Sequence, residues 1–489
     1  MQRRNFLASS AAAAGMQAQA AGGTGRFVGI QVGPHSLLDE GIERSLDLIQ
    51  STSAANTLVI YSQTYHLSPR PLVVMARDHG IEPRDPAKRK LPHLWFRPHE
   101  EFYRGTALRH QTVDASYEYH DRDVFQEVAG PARKRGMRVY ARILEASGRE
   151  AASAIANWPR ILAEDVHGRP TLLPCWNNPD YQAWWMATVE DMFRHYPIDG
   201  LQWGAERVGP LSLVIYRGAM PVCFCHHCRR RGLERGVDVE RARTGFKLLH
   251  DYVNGLMRGG TAPAGGVMTG ALRYLLQYPE ILQWEQQWRQ SKEELAQKIY
   301  GAVKAVRPDA QVGRHIDHQQ SSWDMIYRSE LSYGDMAPWS DFIKFIAYHD
   351  ILGPRIRWWY LERLRQGVLR ELSLEQSLQL YYAFFGYDPK AEPSLAELDK
   401  GGFSPDYVYR ETGRCVAEVG GKAAVYAGIG FDVPFWNEEG MQPFPSDPER
   451  LTLAVRRAFD AGANGIVISR EYDEMRLPSL RAIGRGLRP

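Results

Sequence analysis

Three of the chain's five cysteines stand in one hexapeptide, CFCHHC at residues 223–228. With Cys175, in LPCWNNPD, they make a four-sulfur set: Cys175, Cys223, Cys225 and Cys228. Zinc takes four thiolates in a closed structural site, which leaves no position open for water. The fifth cysteine, Cys415, makes the count odd, which argues against complete disulfide pairing. Zinc, a disulfide within the set and free thiols all stay open on spacing alone. Redox catalysis lacks a thioredoxin-like context. His226 and His227 become ligands only if Cys175 lies too far away.

A second set is acidic. Glu145, Glu206, Asp317, Asp350, Asp432, Glu438, Glu439 and Glu471 each follow a short apolar run, with His315, His349 and Arg470 among them. Glycoside cleavage needs a carboxylic acid to protonate the leaving oxygen and a second carboxylate as nucleophile or as base for water. Their surroundings must hold the two pKa values apart. Any one of these carboxylates could equally be an ion-pair partner or a helix cap. His315, Asp317, His349 and Asp350 also offer the ligand types of a catalytic metal, which would make a metal-dependent hydrolase or lyase. A non-catalytic carbohydrate-binding barrel is a third reading.

Something must bring these residues together. Eight apolar runs recur along the chain: 27–32, 57–61, 137–144, 198–203, 311–316, 342–348, 423–429 and 465–469. Helix-like segments separate them, such as SLLDEGIERSLDLIQ after the first and DVFQEVAGPARKRG before the third. Strands alternating with helices imply a parallel sheet. Eight such units predict an α/β fold, a closed (β/α)8 TIM barrel. No GxGxxG follows the first run, which disfavours a dinucleotide fold. The acidic residues then fall at strand C-termini, the face that carries chemistry in this fold. The expected organisation is one barrel domain over 21–489, with large insertions after strands two and four, at about 62–121 and 207–295. The first insertion carries Trp95, His99, Tyr103, Arg109 and His110, residue types suited to a sugar-binding lid.

Composition narrows the partners. The 60 basic and 57 acidic residues give a net charge of +3, so no polybasic field points to nucleic acid. Arg229, Arg230 and Arg231 read as a solvated face. Thirteen tryptophans could include flat walls on which sugar rings stack. The start, MQRRNFLASSAAAAGMQAQAAGG, sets paired arginines before a short apolar run and Ala18-Gln19-Ala20. RRNFL resembles the twin-arginine export motif. The run is too short to span a membrane. We expect a signal peptide over 1–20 and a periplasmic or secreted protein with no membrane association.

A glutamate after strand four followed by C-[FY]-C-x2-C resembles the family-42 β-galactosidases. In that family an asparagine–glutamate pair ends strand four, the glutamate is the general acid/base, and an upstream cysteine completes a structural zinc site. The resemblance covers about residues 170–235. It implies Glu206 as general acid/base and Cys175, Cys223, Cys225 and Cys228 as zinc ligands. Ala205 stands where the family has its asparagine. The segment DGLQWGAERVGP…CFCHHC is also similar to uncharacterised glycosyl hydrolases with fucosidase-like or amylase-like barrels. Taken together, the expectation is a secreted glycoside hydrolase acting on an oligosaccharide or glycoside. Glu206 is its acid/base. Asp432, chosen over Glu438 in the same segment, is its nucleophile or base, with Glu471 as runner-up and Asp350 third. His99, Arg109, Glu145, Trp203, Arg207, Asp317, His349, Asp350, Arg470 and Glu471 are expected to bind substrate. Structural zinc is expected, and no organic cofactor.

Overall fold

The computed structural model describes residues 25–64, 78–82, 84–85, 88–145, 149–437, 440–442 and 444–488. The expected signal peptide lies outside them. Eight parallel strands close into a barrel: β1 (Phe27–Val32), β2 (Thr57–Tyr61), β3 (Arg138–Leu144), β4 (Gly200–Gly204), β5 (Gln311–Ile316), β6 (Phe342–Ile346), β7 (Ala424–Gly430) and β8 (Gly465–Ser469). They follow one another in chain order around the barrel. β8 returns to β1 with Phe27 opposite Gly465. The eight runs read from sequence are these eight strands, and the (β/α)8 class stands.

Strand side chains alternate between the helix layer and the barrel interior. On β3, Val139, Ala141 and Ile143 join the main core. Tyr140 points the other way, into an interior cluster with Phe27, Val59, Phe342, Tyr426 and Val467. Phe27 and Tyr426 stack there with ring centroids 4.0 Å apart. The next interior layer is polar: Gln31 Nε2 donates to Gln202 Oε1 across the barrel at 2.9 Å.

Amphipathic helices seal the outside. The helix Pro179–His195 buries Trp184, Trp185, Val189 and Phe193, and Asn178 caps its start. Asp123 and Asp447 cap Val124–Lys134 and Pro448–Asp460 in the same way. Each cap satisfies a backbone N–H that has no partner within its helix. The segment after β1 differs from the single helix expected. Gly41, at φ 86°, breaks it into Pro34–Glu40 and Ile42–Ser53. Only glycine holds that backbone shape cheaply.

Four excursions, not two, lengthen the chain. The 207–295 segment carries the helices Pro210–Arg217, His226–Glu234, Val239–Met257 and Val267–Gln277, and the start of the long Glu280–Val306. The 62–121 segment packs its 100–105 turn on the 179–195 helix. Two more were not foreseen. Residues 145–178, after β3, fold two short antiparallel strands, Leu162–Glu164 and Pro170–Pro174. Residues 347–404, after β6, carry Ile356–Leu361 and Leu374–Phe385. Both are polar-interrupted stretches, so strand counting passed over them.

Candidate active site

A cavity of about 380 Å³ opens at the C-terminal ends of the strands. Three carboxyl groups line it: Glu206 after β4, Asp317 after β5 and Glu471 after β8. In a barrel whose strands run in chain order, β4 and β8 stand opposite one another. Glu206 and Glu471 therefore approach the cavity from facing walls.

Glu206 is held by the barrel interior. Its Oε1 lies 3.1 Å from His315 Nε2, and its side chain is 34% exposed. His315 Nδ1 faces Lys344 Nζ at 3.4 Å. Burial and the nearby Lys344 push the imidazole down to about 3, so the ring is neutral. It accepts from Lys344 at Nδ1 and donates to Glu206 from Nε2, a tautomer set by its partners. Lys344 is itself pushed well below its ordinary value by burial and Arg142. Two glycines leave room for this stack. A Cβ on Gly204 would meet His315 Cβ at 2.8 Å, and one on Gly428 would meet Lys344 Nζ at 2.8 Å.

The other two carboxyls are raised. Burial, then the charge of Glu206, lifts Asp317 to about 7. Burial, then Asp473 and Glu474, lifts Glu471 to about 7, while Arg142 and His35 pull the other way. Tyr61 stands at the same wall. Its hydroxyl is raised well above its ordinary value by burial, with Glu471 and Glu206 adding to the shift. Arg142 lies over the Tyr61 ring at 4.2 Å. Burial disfavours the charged form of a carboxyl, and a neighbouring negative charge does so further. Near neutral pH Asp317 and Glu471 are therefore each partly protonated.

The remaining wall comes from the 347–404 excursion and from strand interiors. Tyr348, Arg355, Trp359 and Arg363 line the cavity beside Trp323 and His318. Sequence reasoning missed these, and Arg142, Tyr61 and Gln31 with them. Arg142 was findable, because it shares the inward face of β3 with Tyr140. Arg470 and Glu471, expected here, do line the cavity, and Arg470 pairs with Glu474 at 2.9 Å.

Several expected residues lie elsewhere. Asp432 is fully buried, with φ 54°, and pairs with Arg476 Nη2 at 2.8 Å. It also accepts from the backbone N–H of Arg476 and of Ser446, both at 3.0 Å. It is not among the residues that line the cavity, and these contacts tie it to Ser446 and Arg476. Asp350 receives the Ser446 hydroxyl, and burial lifts it to about 7. His349 is sealed in the interior, pushed down to about 3 by burial. Neither lines the cavity, and Glu438 and Glu439 lie outside the described residues. Trp203 is buried under Arg314, on the helix side of β4. Arg109 Nη1 donates to the carbonyls of Tyr103 and Leu108, and His99 Nδ1 pairs with Asp191 at 2.8 Å. Trp95 and Tyr103 are buried in the core. The residues read as a lid are thus tied to the helix layer.

His315, Asp317, His349 and Asp350 do not converge as metal ligands. Among the described residues, only the four cysteines and His99–Asp191–His195 bring three or more ligand atoms within 4.8 Å of one another. The cysteines are all buried and unbridged. Cys175 Sγ lies 3.4 Å from Cys225 Sγ and 3.5 Å from Cys228 Sγ. A disulfide needs about 2.05 Å. Zinc bonds of about 2.3 Å in a tetrahedron place sulfurs about 3.8 Å apart. The donor set fits zinc.

This cluster reaches the cavity through two expected residues. Trp176, next to Cys175, donates to Glu145 Oε1 at 2.6 Å, and the Arg207 guanidinium lies over its ring at 4.1 Å. Arg207 pairs with Glu145 at 3.1 Å. Glu145 and Arg207 therefore brace the Glu206 loop from behind and do not line the cavity.

Fold and site together define a (β/α)8 barrel whose aromatic-walled mouth sets three carboxyl groups among five arginines. No family model matches the sequence, and no curated protein matches it. Among solved structures, the chain is similar to a β-galactosidase from the haloarchaeon Halorubrum lacusprofundi, at 13% identity and TM-score 0.49, over 91% of this chain and 52% of that one. It is similar to α-L-fucosidase isoenzyme 2 from Paenibacillus thiaminolyticus, at 12% identity and TM-score 0.45, over 95% and 49%. It is also similar to the PgaB (BpsB) glycoside hydrolase domain from Bordetella bronchiseptica, at 12% identity and TM-score 0.46, over 91% and 94%. The chain spans about half the length of the first two.

Proposed function

We propose that this protein is a glycoside hydrolase with Glu206 and Glu471 as its two working carboxyl groups. The observation that carries the reading is their placement: opposed strand ends, one shared cavity, aromatic walls. Glu471, raised to about 7, is fitted to protonate the leaving oxygen. Glu206, accepting from His315 and the more exposed of the two, is fitted to be the carboxylate that attacks or activates water. Asp317, raised to about 7 by burial and then by Glu206, is partly protonated beside it near neutral pH, which limits repulsion. This exchanges the role expected of Glu206 and replaces Asp432 by Glu471.

Zinc at Cys175, Cys223, Cys225 and Cys228 would be structural. It would fix the His226–Glu234 helix and, through Trp176 and Arg207, the loop that carries Glu206. The paired arginines before the apolar run support export by the twin-arginine route, and a fusion of residues 1–20 to a reporter tests it. No helix among the described residues is long and apolar enough to cross a membrane.

The test is turnover of a panel of α- and β-linked aryl glycosides by wild type, Glu206→Gln and Glu471→Gln. Loss in both variants supports the pair. Glycan binding without turnover by wild type would return the chain to a carbohydrate-binding barrel.

A further inference from the structure

The cavity is rich in cations that its acids do not neutralise. Arg142, Arg217, Arg355, Arg363 and Arg470 line it against three carboxyls, two of them raised to about 7. Only Arg470 has a close carboxylate partner among the described residues, Glu474. Arg217 donates to the neutral amide of Gln319 at 2.9 Å. Arg355 Nη1 meets His318 Nδ1 at 2.6 Å, a ring that burial and Arg355 itself keep uncharged. Buried guanidinium N–H groups are left over. Among the described residues Arg355 Nε finds no partner, and neither do Nε and Nη1 of Arg142, whose residue is 4% exposed.

A buried cation without a counter-ion is costly, and proteins rarely keep one without use. Planar guanidinium groups match carboxylate and sulfate oxygens in pairs. The aromatic frame suits the same guest. Arg355 lies 5.1 Å from the Trp359 ring centroid and 5.7 Å from that of Tyr348, which fixes the guanidinium and leaves flat faces for a sugar ring. Burial and Arg470 draw Arg355 down to about 10, so it still carries its charge at neutral pH.

We infer that the substrate is an acidic glycoside, its anionic group held by Arg355 and Arg142 while the glycosidic bond lies between Glu206 and Glu471. The anion supplies the charge the site lacks. A carboxylate at C6, as in a hexuronide, is the form the paired donors fit best. This rests on the hydrolase reading for the bond cleaved, but the anion subsite can be tested without it.

The experiment pairs substrates that differ only at C6: aryl hexuronides against the matching hexosides and their 6-sulfates. Calorimetric binding of free D-glucuronate and D-galacturonate, against glucose and galactose, runs beside it. Wild type should favour the uronide at least tenfold in kcat/KM. Arg355→Gln should cut that ratio by about 10–100-fold, the usual size of a lost charge-assisted hydrogen bond. The ligand-free variant should melt near wild type, because the glutamine amide can still donate to His318 and the removed charge has no carboxylate at ion-pair distance among the described residues; Arg142→Gln gives a second reading of the ratio. Preference for the 6-sulfate over both others keeps the anion subsite and names sulfate. Uronate binding with no turnover of any glycoside keeps the subsite and sinks the hydrolase reading. Equal turnover of uronide and hexoside overturns the inference and leaves the hydrolase. Neither binding nor turnover of any acidic sugar also overturns it.

Discussion

His315 stands between Lys344 and Glu206, 3.4 Å from the amine at Nδ1 and 3.1 Å from the carboxylate at Nε2. The ring is buried, neutral and locked by both contacts, so Glu206 is oriented from the barrel interior. Replacing Glu206 by Gln keeps the shape and removes the charge. Turnover should fall by about 10²–10⁴-fold, the usual contribution of a positioned acid or base, and steady-state kinetics check it. Glu471→Gln should lose a similar factor.

Asp432 answers to a different measurement. Its carboxylate is fully buried and its partner Arg476 is 25% exposed. Asp432→Asn should lose about 2–4 kcal/mol in chemical denaturation, somewhat under the range for a wholly buried pair. Activity per folded molecule should survive.

The pH dependence follows from the raised acids. Asp317 and Glu471, near 7 when folded, bind protons that the unfolded chain has released above about 4. Their share of stability is complete below about pH 4, falls as pH rises toward 7, and is flat above. Denaturation midpoints at fixed salt should show this slope flatten in Glu471→Gln. The rate carries the same signature. With Glu471 as proton donor, kcat/KM falls as pH rises through about 7, and that limb disappears in the variant.

Metal analysis should find one zinc per chain. Chelation should lower the melting temperature, because binding to the folded state alone stabilises it. Cys228→Ser should lose the metal and melt lower in the same way. A chelated protein with an unchanged melting temperature would remove zinc from the account.

Gly204→Ala tests the stack directly. A methyl group there would press on His315 from 2.8 Å, in a strand packed on both sides. It should destabilise by about 1–3 kcal/mol, as overpacking does. It should also lower turnover by moving Glu206.

The barrel was legible because its strands are short apolar runs bounded by turns and separated by helices. Glu206 and Glu471 were legible because they follow two of those runs directly. Asp432 follows a run just as closely, but its positive φ turns it toward Arg476, and spacing carries no record of a backbone angle. Glu145 and Arg207, expected to bind substrate, face Trp176 and are not among the residues lining the cavity. Arg142 and Lys344 were missed because charged residues inside strands read as interruptions. Their inward register, shared with Tyr140 and Phe342, was available in the alternation. Arg355 and Trp359 sit in a long excursion whose position over the cavity depends on packing between distant segments.

The packed rings of Phe27, Tyr140, Phe342 and Tyr426 have a consequence for access. They close the barrel below the polar layer of Gln31 and Gln202, so the cavity has a packed floor. The strand N-terminal end of the barrel thus gives no route to the cavity, and whatever binds there meets the Gln31–Gln202 pair from the side of the strand C-termini.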